Sequence, residues 1–277
     1  MVIETPQRSS VIFGFDSAWT DRPKAPGAIC AIAFDEAGEA RFSEPALVSF
    51  AEAADYIRAG SAGYDFSLVA LDQPTVVPNT AGSRPVDKIA ASLISYVGGG
   101  VQPANRGKTG MFCDASPIWR FLATLGAVED PLAARTASSG RYLMEVFPAL
   151  ALPALHEGFA ARLKGAKYNP QNRRTYRADD WKTVADTVAT CAGAFGLGDM
   201  EAWARATGAL PAPRKADQDK LDAAICALIG VIWRAGPASA AEMFGDLQTG
   251  YMVTPVSAAT GARLRSAAGR VGGATAA

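Results

Sequence analysis

The chain has 277 residues, 49% of them hydrophobic, and its 27 basic residues balance 27 acidic ones for a formal net charge of zero. This length and apolar content suit one large α/β domain with a sizeable core. Charge balance argues against a protein that holds nucleic acid by overall basic excess, although a local basic patch would suffice. Four scattered cysteines (Cys30, Cys113, Cys191, Cys226) and one histidine, His156, argue against a structural zinc site.

Residues 1–10 lack an apolar signal core and are expected to form a disordered tail. Residues 11–15 (VIFGF) form a short apolar strand that runs into Asp16. A second strand follows at 27–34 (GAICAIAF) and a third, short one at 41–50, with hairpin-like connections between them. Residues 51–59 suit a helix. Residues 66–71 (FSLVAL) are an uninterrupted apolar strand ending at Asp72, the pattern of a strand covered on both faces. A proline-containing loop at 73–85 leads to an amphipathic helix at 86–96. The stretch 98–116 is glycine-rich and irregular, and 117–125 is a helix with proline in its first turn. Residues 141–147 (RYLMEVF) are a fifth strand stopped by Pro148. Helical patterns occupy 149–160, 180–195 and 199–207. The helix at 219–234 is apolar on most faces and therefore buried.

This order predicts an α/β fold: a mixed five-stranded sheet in which a three-strand antiparallel meander is followed by parallel strands. Helices lie on both faces, with extra helical insertions at about 73–140 and 160–215. A single domain over 11–256 is expected, and the Ala-, Gly-, Ser- and Thr-rich stretch 257–277 reads as a flexible tail. No run reaches the roughly 18 apolar residues that span a bilayer. With its unpaired cysteines, the chain is expected in the cytoplasm.

Acids recur at the strand ends: Asp16, Asp72 and Glu145. The buried helix carries Asp219 and Asp222, three residues apart on one face. Open α/β sheets place ligands beyond the carboxyl ends of their strands, where these acids would converge. Crowded carboxylates raise one another's pKa values, and a divalent cation relieves the repulsion. Mg²⁺ and Mn²⁺ favour oxygen ligands of this kind. Two such ions about 4 Å apart serve phosphodiester hydrolysis. Simpler roles are open at each position. Asp16 could cap a turn, Asp72 could belong to a pre-proline bend, and Asp219 could be a helix N-cap. Glu145, inside an apolar strand, needs a partner, either an arginine or a metal.

The stretches GFDSAW, LVALDQP, RPVDK, MEVFPA and DKLDAAICAL resemble the domain-of-unknown-function 429 family, over roughly residues 11–235. That family is regarded as a predicted RNase H-like nuclease. The D-x-x-D-A of Asp219 to Ala223 is also similar to the carboxyl-terminal helix of RuvC-type resolvases. The resemblance implies an RNase H-like fold in which Asp16, Asp72 and Asp222, with Asp219, hold Mg²⁺ or Mn²⁺. Glu145 matches the family's own E-V-F-P motif and joins the candidate catalytic set. Arg84 and Asp87 match a family-like R-x-x-D that either positions a phosphate or forms a pair.

Phosphate-binding candidates come from two loops. In LKGAKYNPQNRRTYR, Lys167, Arg173, Arg174 and Arg177 offer charge and forks for phosphate, and Tyr168 and Tyr176 offer stacking surfaces. The loop GGGVQPANRGKTG contributes Arg106 and Lys108, but lacks the spacing of a P-loop. Trp19, just after Asp16, is a candidate wall of the site. The expected function is a metal-dependent nuclease or phosphodiesterase acting on nucleic acid or a phosphorylated small molecule. The alternatives are a phosphoryl-transfer ATPase or kinase-like protein and a non-catalytic binding protein that keeps the fold.

Overall fold

The structure, a computed structural model, describes residues 9–22, 24–272 and 275–276. Three strands form its centre: β1 (Ser10–Asp16), β2 (Gly27–Phe34) and β4 (Phe66–Asp72). Every residue of β1 is buried, because neighbours cover both of its faces. By contrast β3 (Ala40–Val48) exposes about half of its positions, as an edge strand does. Beyond β4 lie β6 (Gly140–Glu145) and the two-residue β5 (Val128–Glu129). The sheet order is β3-β2-β1-β4-β6-β5. The pairs β1–β2 and β2–β3 are antiparallel, while β1–β4, β4–β6 and β5–β6 are parallel. The expected meander followed by parallel strands is therefore present, but the sheet has six strands rather than five. The sixth, β5, is too short to carry a period-two pattern. Most of the stretch 1–10 lies outside the described residues, and Ser10 already pairs with Phe34 in the sheet.

Helices cover both faces. On one side α1 (Phe50–Gly60) and α3 (Pro117–Leu125) pack onto Phe13 and Phe15, with Phe50 and Phe121 stacked at 5.0 Å between ring centroids. The other side carries α8 (Lys215–Ala235), backed by α5 (Pro148–Leu155), α6 (Ala178–Ala194) and α7 (Gly198–Gly208). The short α4 (Pro131–Thr136) precedes β6 and accepts the indole N–H of Trp233 at the Pro131 carbonyl, 2.8 Å away.

Packing is close where α8 crosses β1. A methyl group added at Gly14 would lie 2.1 Å from the carbonyl oxygen of Ala223 and 2.3 Å from the backbone nitrogen of Ala227. One added at Gly230 would lie 2.5 Å from Ile12 Cγ2. Helix and strand backbones thus touch with no side chain between them. The Cys30 thiol, from β2, donates to the same Ala223 carbonyl at 3.4 Å. Helix α8 begins at Lys215, four residues before its expected start. Asp219 is consequently a second-turn residue and not an N-cap.

Past α8 the chain forms an antiparallel hairpin, β7 (Ala241–Asp246) and β8 (Gly250–Pro255), joined by β9 (Thr275–Ala276) into a second sheet. The expected flexible tail at 257–277 is replaced over most of its length by α9 (Ala258–Val271). Its apolar face is what it packs: Leu264, Ala267 and Ala268 share a core cluster with Ile89, Ala90 and Leu93 of α2 (Pro85–Ile94). Ser257 caps it, accepting from the N–H of Thr260. No helix among the described residues is long and apolar enough to cross a membrane.

The α8–β1 contact sets a stability expectation. Gly14→Ala should lower the unfolding free energy by about 3 kcal/mol, the upper range for overpacking a core. Urea denaturation measures it, and an unchanged midpoint would mean that the two backbones do not meet at Gly14.

Candidate active site

Parallel pairing sets Asp16 of β1 directly beside Asp72 of β4, and the same ladder sets Leu71 beside Glu145 of β6. Adjacent strands lie about 4.8 Å apart, so the first two carboxylates start from neighbouring backbone positions. Alternation along the strands puts Asp16 and Asp72 on the face of Gly14 and Ala70, the face that α8 covers. Glu145, level with Leu71, points to the other side of the sheet.

The third carboxylate arrives from the helix. Asp222 precedes Ala223, whose carbonyl meets Gly14, so the helix–strand contact delivers it to the end of β1. Its Oδ1 accepts from the Tyr168 hydroxyl at 2.6 Å and its Oδ2 from Gln218 Nε2 at 3.0 Å. Asp16 is 9% exposed and Asp222 6%. Burial pushes the Asp16 carboxyl well above the ordinary range, and the charges of Asp222 and Asp72 add to the rise. Asp72 is raised in the same way by burial, Asp222 and Glu145. Burial lifts Asp222 to about 6, against the pull of Lys215 and the Tyr168 hydrogen bond.

Lys215 supplies positive charge to this group. It bridges to Asp219 one helical turn on. Its ammonium is held above its ordinary pKa despite burial, because Asp222, Asp16 and Asp219 surround it. Asp16, Ser17, Trp19, Lys24, Gln171, Lys215 and Asp219 line a cavity of about 510 Å³ at this end of the sheet. A divalent cation fits the chemistry of Asp16, Asp72 and Asp222, whose carboxylate oxygens crowd together at the strand ends. Among the described residues, no three carboxylate, cysteine or histidine side chains already enclose a common point for an ion.

The other expected site residues have different partners. Arg84 is 0% exposed and all five of its N–H donors are taken. Nη1 and Nη2 grip Glu145 at 2.8 and 2.6 Å, Nε and Nη2 reach Asp87 at 3.0 and 2.8 Å, and Nη1 also reaches the Val76 carbonyl at 3.1 Å. Arg84 therefore has no donor left for a phosphate, and the paired reading of R-x-x-D describes it. Glu145 has found its arginine and also accepts from the Thr75 N–H at 3.0 Å. Its carboxyl is lifted to about 7 by burial, against the pull of Arg84. The network continues through Tyr251, whose hydroxyl accepts from the Glu145 N–H and donates to Glu129.

Arg106 braces its own loop. It donates to the Val77 carbonyl at 3.0 Å, pairs with Asp114 at 3.1 Å and lies 4.2 Å from the centre of the Trp119 ring. Lys108 sits in that loop, half-exposed, where its carbonyl oxygen accepts from the N–H groups of Met111, Phe112 and Cys113. Lys167 donates to the Gly98 carbonyl at 2.5 Å and ties two loops together. Arg173, Arg174 and Arg177 are exposed, on the segment whose Gln171 lines the cavity. Tyr168, expected as a stacking surface, is instead buried against Asp222. Lys215 and Gln218 were not anticipated. Their signal was present as four-residue spacings to Asp219 and Asp222, which become visible once the helix is known to start at Lys215.

The family model described as "Protein of unknown function (DUF429)" matches residues 14–243. The chain belongs to this family. No curated protein and no solved structure matches it. The DUF429 match begins at Gly14 and ends at Met243, so it takes in Asp16, Asp72, Tyr168, Lys215 and Asp222 and leaves α9 outside.

Two expectations follow from the charges. Above about pH 4 the folded protein keeps protons on Asp16 and Asp222 that the unfolded chain has released, so stability falls as pH rises, for Asp222 through about pH 6. In metal-free buffer at pH 8, Asp16→Asn should therefore raise Tm, by roughly 3 °C or more, with a smaller gain at pH 4.5. A less stable variant at pH 8 would contradict the crowding. Arg84→Met, which strands two buried carboxylates, should cost about 3–5 kcal/mol in urea unfolding. A loss under about 1 kcal/mol would show that the network is solvated.

Proposed function

We propose that this protein is a metal-dependent nuclease or phosphodiesterase of RNase H-like type, hydrolysing a phosphodiester at the carboxyl ends of β1 and β4. One observation carries the reading: Asp16 and Asp72 are register partners on adjacent parallel strands, and Asp222 is brought against them from α8. Asp16 and Asp222 are buried and Asp72 half-buried, all three have raised pKa values, and such crowding is costly to stability unless a cation joins them. Asp16, Asp72 and Asp222 would hold Mg²⁺ or Mn²⁺, with Asp219 beside them. Such an ion, when bound, neutralises phosphate charge and makes water a usable nucleophile at neutral pH.

The protein's own groups have separable tasks. Tyr168 and Gln218 fix the orientation of Asp222, so that its carboxylate needs no reordering at each turnover. Lys215 holds a fixed positive charge at the cavity wall, where a phosphate oxygen gains from it. The exposed Arg173, Arg174 and Arg177 grip flanking phosphates of a longer strand. This local patch serves a chain of zero net charge, as a binder of modest, salt-sensitive affinity. A second reading, a binding protein that keeps the fold, draws support from Lys215, which already neutralises part of the carboxylate charge.

Labelled single- and double-stranded DNA and RNA, incubated with the protein in Mn²⁺, separate the two. Cleavage abolished by Asp16→Asn is expected. Tyr168→Phe should weaken Mn²⁺ binding by about tenfold, as loss of a ligand-orienting group does, measured by calorimetry. Cleavage that survives Asp16→Asn would sink the assignment. Phosphate-ligand binding without cleavage, in every substrate and metal tried, would favour the binding protein.

A further inference from the structure

A second, smaller cavity of about 160 Å³ adjoins the carboxylates on the far side of Trp19. Its apolar walls are Pro74, Val101, Val146, Phe147 and Met252, and Trp19 lines both it and the larger cavity. Asp72 also lines it, and Asp72 is the register partner of the Asp16 that lines the larger one. The two cavities therefore meet at the strand ends, one polar and charged, one apolar. Glu145 and Asp87 border the small cavity, but Arg84 neutralises both from behind. The side chain of Gln102, exposed where the glycine-rich loop borders the cavity, supplies an amide.

Trp19 is held in place as a fixed wall. It sits at φ +50°, in the left-handed region that a bulky side chain rarely adopts. Its indole N–H donates to the Asp72 carbonyl at 3.2 Å, and its ring meets Phe112 edge-on at 5.5 Å between centroids. Strained backbone of this kind persists where the surroundings over-determine it, and it gathers at binding sites. Two aromatic residues, Trp19 and Phe147, thus line a half-open space of about one ring's volume, since an apolar cavity of about 150 Å³ holds a single benzene. Aromatic and apolar walls of this kind take up nucleobases by stacking.

We propose that this cavity is a base subsite: it takes a single-ring nucleobase, a pyrimidine, from a substrate whose phosphate lies at Asp16 and Asp72. The proposal rests on the phosphodiesterase reading above. It adds that the enzyme favours pyrimidine at the nucleotide next to the reacting phosphate, because this half-open space covers about one ring and leaves the second ring of a purine outside it.

Calorimetric titration in Mn²⁺ with uridine 5′-monophosphate, adenosine 5′-monophosphate and ribose 5-phosphate tests it. Uridine monophosphate is expected to bind at least about tenfold tighter than ribose 5-phosphate, within the range that stacking supplies, and tighter than adenosine monophosphate. Val101→Trp, which fills the cavity, should remove that advantage and leave ribose 5-phosphate affinity unchanged, which also reports that the variant is folded. Equal binding of uridine monophosphate and ribose 5-phosphate by the native protein, or an advantage retained in Val101→Trp, overturns the base subsite. If ribose 5-phosphate binding is still weakened by Asp16→Asn, the phosphate site at the strand ends stands without the subsite, and the cleavage assay decides the phosphodiesterase reading. If none of the three ligands binds, both fall together.

Discussion

The close approach of α8 to β1 governs the geometry of the whole site. At Gly14 the strand has no side chain, and the backbone of the helix occupies the space a methyl group would need. Gly230 repeats the device two turns further along the helix, against Ile12. A larger residue at either point would push α8 away from the sheet. Asp222 would then withdraw from Asp16 and Asp72, since the residue that follows it is the one in contact. Packing in a core and the assembly of a charged cluster are here one and the same constraint.

That constraint has an electrostatic cost which the surroundings reduce without removing. Tyr168 and Gln218 satisfy the oxygens of Asp222, and Lys215 contributes one positive charge to several negative ones. The carboxyls still remain raised, most strongly where burial acts together with the neighbouring acids. The Arg84 network shows the opposite solution a few residues away. There two buried carboxylates share one arginine whose donors are all used, which leaves a closed structural unit. Two carboxylate clusters at one end of a sheet thus divide by their counterions. One is balanced from within the chain, and the other is left short of positive charge, as sites poised for a ligand are.

Trp19 lies at the junction of these parts. Its indole binds the backbone of Asp72, its ring meets Phe112 of the glycine-rich loop edge-on, and the residue lines two cavities of different character. A loop that would otherwise be a simple turn between β1 and β2 becomes a partition, at the expense of a strained backbone.

Local pattern in the chain determined the central strands, their meander-then-parallel order and the buried helix. Continuous apolar runs such as FSLVAL and the long apolar face of DKLDAAICALIGVIWR read directly as covered strand and core helix. The strand-end positions of Asp16 and Asp72 were legible for the same reason, because each run stops at its acid. The two-residue β5, the β7–β8 hairpin and α9 were not legible, since short strands and an alanine-rich helix depend on what they pack against more than on their own periodicity. Which acids share a pocket was likewise beyond sequence. Glu145 and Asp72 both end apolar strands, yet a one-residue difference in register sends Glu145 to Arg84 and leaves Asp72 beside Asp16. Counter-charge and orientation also come from afar: Lys215 meets Asp16 from the other end of the sequence and Tyr168 reaches Asp222 from another segment, and only folding brings them together.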